Sequence, residues 1–297
     1  MPAPAQSEAA ALRSKLSLGP TTPYWQIATL AALTLWLYWP TLGHLLAQWW
    51  HDPNFSHGFL VPLFSGFVVW QQRSELGRLE PRPSWSGLIA IALGLFILIV
   101  GQMGAELFLS RVSLLIVIAG LIALSYGWNF FRALLFPWAF LILMIPIPAI
   151  VFNQITFPLQ LLASRVASTL LPLLGVPVLR EGNVIHLPFI TLEVAEACSG
   201  IRSLISLLTL AIIYGYLLEK RIWVRCLLAA ASIPIAVAAN SVRIIGTGLL
   251  VQYWDPDKAE GYFHLSWGWL IFVVSLAMLY ALHGLIRVIW PEPEPQS

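Results

Sequence analysis

One cysteine of this chain lies in a setting that suits nucleophilic chemistry. Cys198 is one of only two cysteines among 297 residues, and it stands in the run Ala197-Cys198-Ser199-Gly200-Ile201-Arg202. Glu193, Glu196 and Arg202 surround it with charge, and an apolar segment follows directly. Nearby charge and partial exposure are typical of reactive thiols. We therefore predict that Cys198 attacks an acyl carbon at a membrane surface.

Arg243 and His264 supply the other groups that such chemistry needs. A histidine can take the thiol proton and return it to a leaving group. An arginine in a pocket of low dielectric can stabilise the oxyanion of a tetrahedral intermediate. Cysteine, histidine and arginine together resemble the trio of a sortase-type cysteine transpeptidase.

The composition indicates a helical membrane protein. Hydrophobic residues make up 59% of the chain, charged residues only 10%, and the mean hydropathy is +0.80. Globular domains contain about 25% charged residues. The net charge of +2, with scattered basic residues, does not predict a nucleic-acid partner. We predict an all-α, polytopic fold with membrane lipids around it.

Apolar runs of roughly 20 residues predict about eight transmembrane helices. The predicted spans cover residues 25–46, 58–71, 85–104, 107–127, 134–150, 199–218, 222–251 and 265–289. Residues 152–174 are also helical in pattern, but Pro158, Arg165 and Pro172 favour a helix that lies along the outer interface or enters the membrane part of the way. Before the sixth span, residues 176–193 are predicted to be extended, with Glu181-Gly182-Asn183 as a turn between two short strands.

Lysine and arginine fall on one side of these spans, which predicts that both termini are cytoplasmic. Arg243 then lies 18 residues beyond cytoplasmic Arg225 on the seventh helix, a rise of about 27 Å. Cys198 and His264 stand at the outer ends of the sixth and eighth helices. All three residues are therefore expected at the same outer depth.

Five further residues are candidates for supporting roles. Arg202 follows Cys198 by four positions and could tune the thiol, bind an acidic substrate residue or extend to lipid headgroups. Asn240 and Ser241 accompany Arg243, since an arginine in a membrane helix favours polar neighbours. Glu196 could contribute to the site or cap a helix, and His57 could line a vestibule. No tight spacing of histidines and acids is present, so we predict no metal, and no other cofactor.

Several runs resemble the exosortase/archaeosortase family, and together they span about Asn54 to Trp269. The strongest covers residues 192–202 with Cys198. The others are Asn240-Ser241-Val242-Arg243-Ile244, His264 at the head of the last helix, residues 54–62, Met144-Ile145-Pro146-Ile147-Pro148 and Arg180-Glu181-Gly182-Asn183-Val184-Ile185.

This resemblance implies a membrane-embedded cysteine protease-transpeptidase of bacterial export. Its partners would be exported proteins with a C-terminal Pro-Glu-Pro motif, a transmembrane helix and a basic cluster, together with an unidentified surface acceptor. The family implies that Cys198 is the nucleophile, Arg243 the transition-state cation and His264 the general acid/base. It also implies the bacterial inner membrane, with the active site facing the periplasm.

Two other functions agree with the same residues. A membrane acyltransferase would form a thioester on Cys198 with a lipid or glycan acyl donor. A non-enzymatic transporter would use Arg243 to bind an anion, and the thiol would then be dispensable. For the chain as a whole we predict a cytoplasmic tail over residues 1–22, a single membrane-embedded domain over residues 23–290, and a disordered tail over residues 291–297.

Overall fold

The computed structural model describes residues 24–188, 190–194, 200–253 and 262–291, and these residues form two compact units. The first comprises the described residues up to His51 together with Gly58–Pro146. The second comprises Asp52–His57 together with the described residues from Ile147 onward. All candidate site residues that are described belong to the second unit. The single domain over residues 23–290 stays a prediction.

The first unit is a set of apolar helices. In chain order these are α1 (Tyr24–Leu37), α2 (Trp39–His51), α3 (Leu60–Gln71), α4 (Arg73–Leu76), α5 (Ser86–Met103), α6 (Leu107–Ser125), α7 (Trp128–Ala133) and α8 (Leu135–Phe140), with a 3₁₀ helix at Leu141–Met144. A further 3₁₀ helix, Pro53–Phe59, belongs to the second unit as far as His57. Helices α5 and α6 pack closely because Gly87, Gly94 and Gly101 recur every seven residues along α5 and are buried. A Cβ at Gly87 would lie 2.4 Å from the backbone nitrogen of Leu124.

The all-α membrane fold is confirmed, but the predicted number of eight spans is not. Within the described residues, four helices are long and apolar enough to cross a membrane: Ser86–Met103, Leu107–Ser125, Ile222–Tyr253 and Gly268–Ile289. The number rises to six if each of two interrupted helix pairs is counted as one span. The 12-residue helix α3 falls below that length.

Prolines account for the interrupted spans. Helices α1 and α2 bend by 64° at Tyr38, where Pro40 lacks the N–H that would bond to the carbonyl of Trp36. The Tyr38 hydroxyl hydrogen-bonds with Ser113 Oγ on α6 at 2.9 Å, which fixes the bend in the core. The predicted span over residues 134–150 is interrupted at Ile145–Pro148, where Pro146 and Pro148 end the helical pattern.

The second unit contains the remaining helices and a small sheet. Its elements are α9 (Ala149–Leu173), β1 (Leu179–Glu181), β2 (Val184–His186), β3 (Thr191–Glu193), α10 (Gly200–Leu218), α11 (Ile222–Tyr253) and α12 (Tyr262–Ile289). The predicted helix over residues 152–174 is present as α9, with Pro158 and Pro172 inside it. Its position along the membrane interface stays a prediction.

The predicted extended segment is confirmed. It contains three strands, whereas the sequence predicted two. The antiparallel order is β1-β2-β3, and Glu181 pairs with Val184 across the turn at Gly182 and Asn183. Gly182 has φ +65°, as the first position of a type II′ hairpin turn requires. Ile185, Leu192 and Val194 face a buried cluster with Ala167 and Leu171 of α9 and Ile244 of α11. The sheet therefore holds the chain on both helices directly before residue 195.

The buried carboxylate of Glu219 links the end of α10, the start of α11 and the last part of α12. Glu219 follows α10, its side chain is fully buried, and Arg221 donates to it from Nε at 3.1 Å and Nη2 at 3.0 Å. His283 of α12 hydrogen-bonds with it at 3.3 Å and with the Tyr214 hydroxyl of α10 at 2.7 Å. The backbone N–H groups of Lys220 and Arg221 donate to it as well. The carboxylate therefore ties α10, α11 and α12 together at this end.

The hydrogen bonds from Arg221 lower the pKa of Glu219 well below its ordinary value, against the opposing effect of burial. We expect Glu219→Gln to lower the free energy of unfolding by about 2 to 4 kcal/mol, because buried cations lose their partner. A lowered pKa stabilises the fold above the unfolded-state value near pH 4.3, so this contribution is lost as the pH falls below it. Thermal unfolding in detergent should show the difference in melting temperature between the two proteins narrowing steadily as the pH falls from about 5 to 3.

Glu80→Gln is the matched control, because Glu80 pairs with Arg82 at 3.5 Å with both side chains largely exposed. It should change the melting temperature little at any of these pH values. A difference between wild type and Glu219→Gln that is as large at pH 3 as at pH 7 would contradict the prediction.

Candidate active site

Helix α11 positions the predicted cation among small and polar neighbours. Asn240 and Ser241 are buried, and the Ser241 hydroxyl donates to the carbonyl of Val237 at 3.0 Å. One turn later, the Thr247 hydroxyl donates to the Arg243 carbonyl at 3.0 Å. Such bonds satisfy the hydroxyls within their own helix. The Arg243 side chain is partly buried, as the polar interior expected for a membrane arginine requires.

The guanidinium of Arg243 lies against the backbone of α12. A Cβ placed on Gly268 would meet Arg243 Nη2 at 3.2 Å and Cζ at 3.3 Å. Gly268 follows His264 by four residues, so the two positions share one face of α12. The helix that begins near His264 therefore packs its early turns on Arg243, and the absence of a side chain at Gly268 makes the close approach possible.

Arg202 belongs to the same region. It is the third residue of α10, and its Nε donates to Asn54 Oδ1 at 3.5 Å. The charges of Arg243 and Asp52 act on its guanidinium. Two arginines on consecutive helices thus act on each other electrostatically, and two like charges that interact in this way favour an anion nearby.

The short segment Asp52–His57 supplies the partner of Arg202. The Asp52 carboxylate accepts from the Asn54 N–H at 2.9 Å, and Phe55 packs against Phe152 of α9 with ring centroids 6.0 Å apart. His57 is partly buried and lies near Phe55, with centroids 6.5 Å apart. The segment is therefore fixed on α9 by an aromatic contact and presents Asn54 to α10.

The structure describes the remaining predicted site residues only in part. Cys198 and Glu196 lie outside the described residues, and so their predicted roles stay predictions. His264 is described as part of α12 but its side chain is not. Before residues 195–199 the chain is held by buried Val194 after β3, and after them α10 begins at Gly200.

Sequence reasoning missed Asn54 and Gly268 as site residues. Asn54 lies in one of the family-like runs, and Gly268 stands one turn after His264, so both carried a signal. What identified them is their contact with arginines distant in sequence. In the part of the chain that the structure describes, no three histidine, cysteine or acidic side chains come together as metal ligands.

The fold and these residues define a multi-pass membrane protein with a polar site at the ends of apolar helices. The family model for the transmembrane exosortase (Exosortase_EpsH) matches residues 49–281, which is most of the chain. The protein belongs to this family, whose members are membrane transpeptidases of the sorting type. Comparisons with curated proteins and with solved structures gave no match.

Gly268→Ala tests whether the Arg243 position matters for turnover. The added methyl group would press on the guanidinium and displace it by a few tenths of an ångström. We expect turnover of a co-expressed sorting substrate to fall about tenfold or more, because misplaced transition-state groups are costly. The melting temperature should change little, since the displaced group is the end of a flexible side chain.

Gly284→Ala on the same helix is the control, because a Cβ there meets nothing within 4 Å. Equal turnover in the two variants would contradict a role for the Arg243 position.

Proposed function

We propose that this protein cuts the C-terminal sorting signal of exported proteins through a thioester on Cys198 and passes the acyl group to an acceptor. The observation that supports this most directly is the Arg243 guanidinium packed on Gly268, one turn after His264, in a transmembrane exosortase. The substrates would end in Pro-Glu-Pro, a transmembrane helix and a basic cluster. The site would face the periplasm from the bacterial inner membrane, with both termini cytoplasmic.

The proposed reaction has two balanced halves. The Cys198 thiolate attacks the peptide carbonyl, and the negative charge that develops on the carbonyl oxygen is stabilised by Arg243. His264 gives a proton to the leaving amine, the C–N bond breaks, and the thioester forms. An acceptor amine or water then attacks the thioester, His264 takes the proton of the attacking group, the C–S bond breaks, and Cys198 leaves as the thiolate.

The surroundings of Arg243 support its role. The side chain is partly buried beside Asn240 and Ser241, so its charge acts in a region of lower dielectric than water. Arg202 adds a second cation in the same region. An arginine also offers several N–H donors in a fixed plane, which suits an oxyanion whose geometry changes during the reaction.

The first test is a reporter protein that ends in Pro-Glu-Pro, a hydrophobic helix and an arginine cluster, co-expressed with the enzyme and followed by gel mobility. We expect wild type to shorten the reporter and Cys198→Ala to leave it intact. His264→Ala and Arg243→Lys should each lower the rate about 100-fold or more, as losses of a general acid and an oxyanion donor do.

Cys226→Ala is the matched control, because Cys226 is the described free cysteine, exposed near the start of α11. It should process the reporter at the wild-type rate. Processing that continues in Cys198→Ala would exclude the thioester mechanism, and labelled lipid on Cys198 in place of reporter would favour an acyltransferase.

Arg202 is proposed to bind the glutamate of the Pro-Glu-Pro motif. Its Nε is directed to Asn54, and no hydrogen bond to a described residue occupies its two terminal nitrogens. We expect Arg202→Gln to slow cleavage of the normal reporter about 10- to 100-fold, the worth of one hydrogen bond to a charged group. A Pro-Gln-Pro reporter should be cut equally slowly by wild type and variant.

The rates of wild type and Arg202→Gln on the two reporters form a double-mutant cycle. Arg165→Gln is the control, because Arg165 of α9 is exposed. If the effect of Arg202→Gln is the same on both reporters, Arg202 does not recognise the glutamate.

A further inference from the structure

A polar groove runs along α9 toward the site. Its open part has a volume of about 540 Å³, and a narrower cleft of about 20 Å³, room for roughly one water, continues from it. Thr156 and Gln160 line both parts, so they form one continuous groove. We call it the α9 groove. Its open part is lined by Asn153, Gln154, Thr156, Phe157, Pro158, Gln160 and Asn183, and its cleft also by Leu159, Leu204, Ala236, Val237 and Asn240.

The lining is neutral and rich in hydrogen-bonding groups. The side chains of Asn153, Gln154 and Gln160 make no hydrogen bond within the described part of the chain, and each offers both a donor and an acceptor. Pro158 has no N–H, so the carbonyl of Gln154 lacks its helical partner beside them. No charged residue lines either part of the groove.

These amides are unfavourable neighbours for lipid. Each unsatisfied polar group facing hydrocarbon costs several kcal/mol, so three on one stretch of α9 indicate contact with water or with a polar ligand. The ligand would need many hydrogen-bonding groups but no charge, since a desolvated charge needs an opposite charge nearby.

The cleft leads to the residues of the candidate site. Asn240 lies one turn before Arg243 on α11, and residues three apart share one face of a helix. A chain lying in the groove would thus have its end close to Arg243.

We propose that the α9 groove binds the main chain of the substrate, in extended form, on one side of the bond that is cut. Peptide groups alternate donors and acceptors as the amide side chains do, and they carry no charge. The volume lies within the range of specific binding pockets. This inference rests on the proposed function, because the ligand is the substrate of that reaction.

Photo-crosslinking tests the groove directly. Phe157 is replaced by p-benzoylphenylalanine in a Cys198→Ala background, which should hold uncut reporter. Leu162, on the same helix but outside the groove, is replaced in the same way as the control; the two side chains are 50% and 47% exposed. We expect position 157 to crosslink to reporter residues next to the Pro-Glu-Pro motif, and position 162 not to do so.

Kinetics give a second measurement in the active enzyme. Gln154→Ala with Gln160→Ala should raise KM for the reporter about tenfold, as loss of two neutral hydrogen bonds predicts, with kcat and alkylation of Cys198 unchanged. Thr169→Ala is the control, because its exposed hydroxyl bonds only to the Arg165 carbonyl.

The outcomes separate the two proposals. If wild type cuts the reporter but position 157 does not crosslink to it, the groove inference is wrong and the proposed function stands. The double variant could instead raise KM for the acceptor nucleophile and leave KM for the reporter unchanged. The groove would then bind another ligand, and the inference would again be wrong. If wild type does not cut the reporter, the proposed function itself fails.

Discussion

The structure depends on how charged side chains are accommodated among apolar helices. In the second unit, two separate groups of charged side chains lie along α11. Glu219, just before α11, is enclosed by Arg221, His283 and backbone N–H groups. Arg243 lies 21 residues into the helix, about 30 Å further along. Glu219 and its partners tie the helices together. Arg243 lies next to Gly268, where a reacting group could approach.

This separation divides the charges along α11 between a structural network and the candidate site. The carboxylate network satisfies its own charges and so holds α10, α11 and α12 in fixed register. Further along α11, Arg243 packs against Gly268, and Arg202 of α10 donates a hydrogen bond to Asn54. These contacts position both cations. Groups that are held before the substrate arrives need no reorganisation during the reaction.

The small sheet and α9 complete the site region from the other side. Ile185, Leu192 and Val194 pack on α9 and α11, which fixes the chain immediately before residues 195–199. The neutral amides of the α9 groove stand apart from the two arginines. A cationic region and a neutral one, joined by the cleft at Asn240, would divide recognition of an acidic side chain from recognition of the peptide main chain.

The sequence by itself determined the class, the family-like runs and several local elements. The apolar runs predicted α5 and α6 to within about two residues, and Gly182-Asn183 predicted the turn, because both depend on neighbouring residues alone. The number of eight spans is not confirmed, since Pro40, Pro146 and Pro148 interrupt helical runs that hydropathy treats as continuous. Only the tertiary structure decided that Arg243 meets Gly268 and Arg202 meets Asn54, because helix packing brings together residues that are 25 and 148 positions apart.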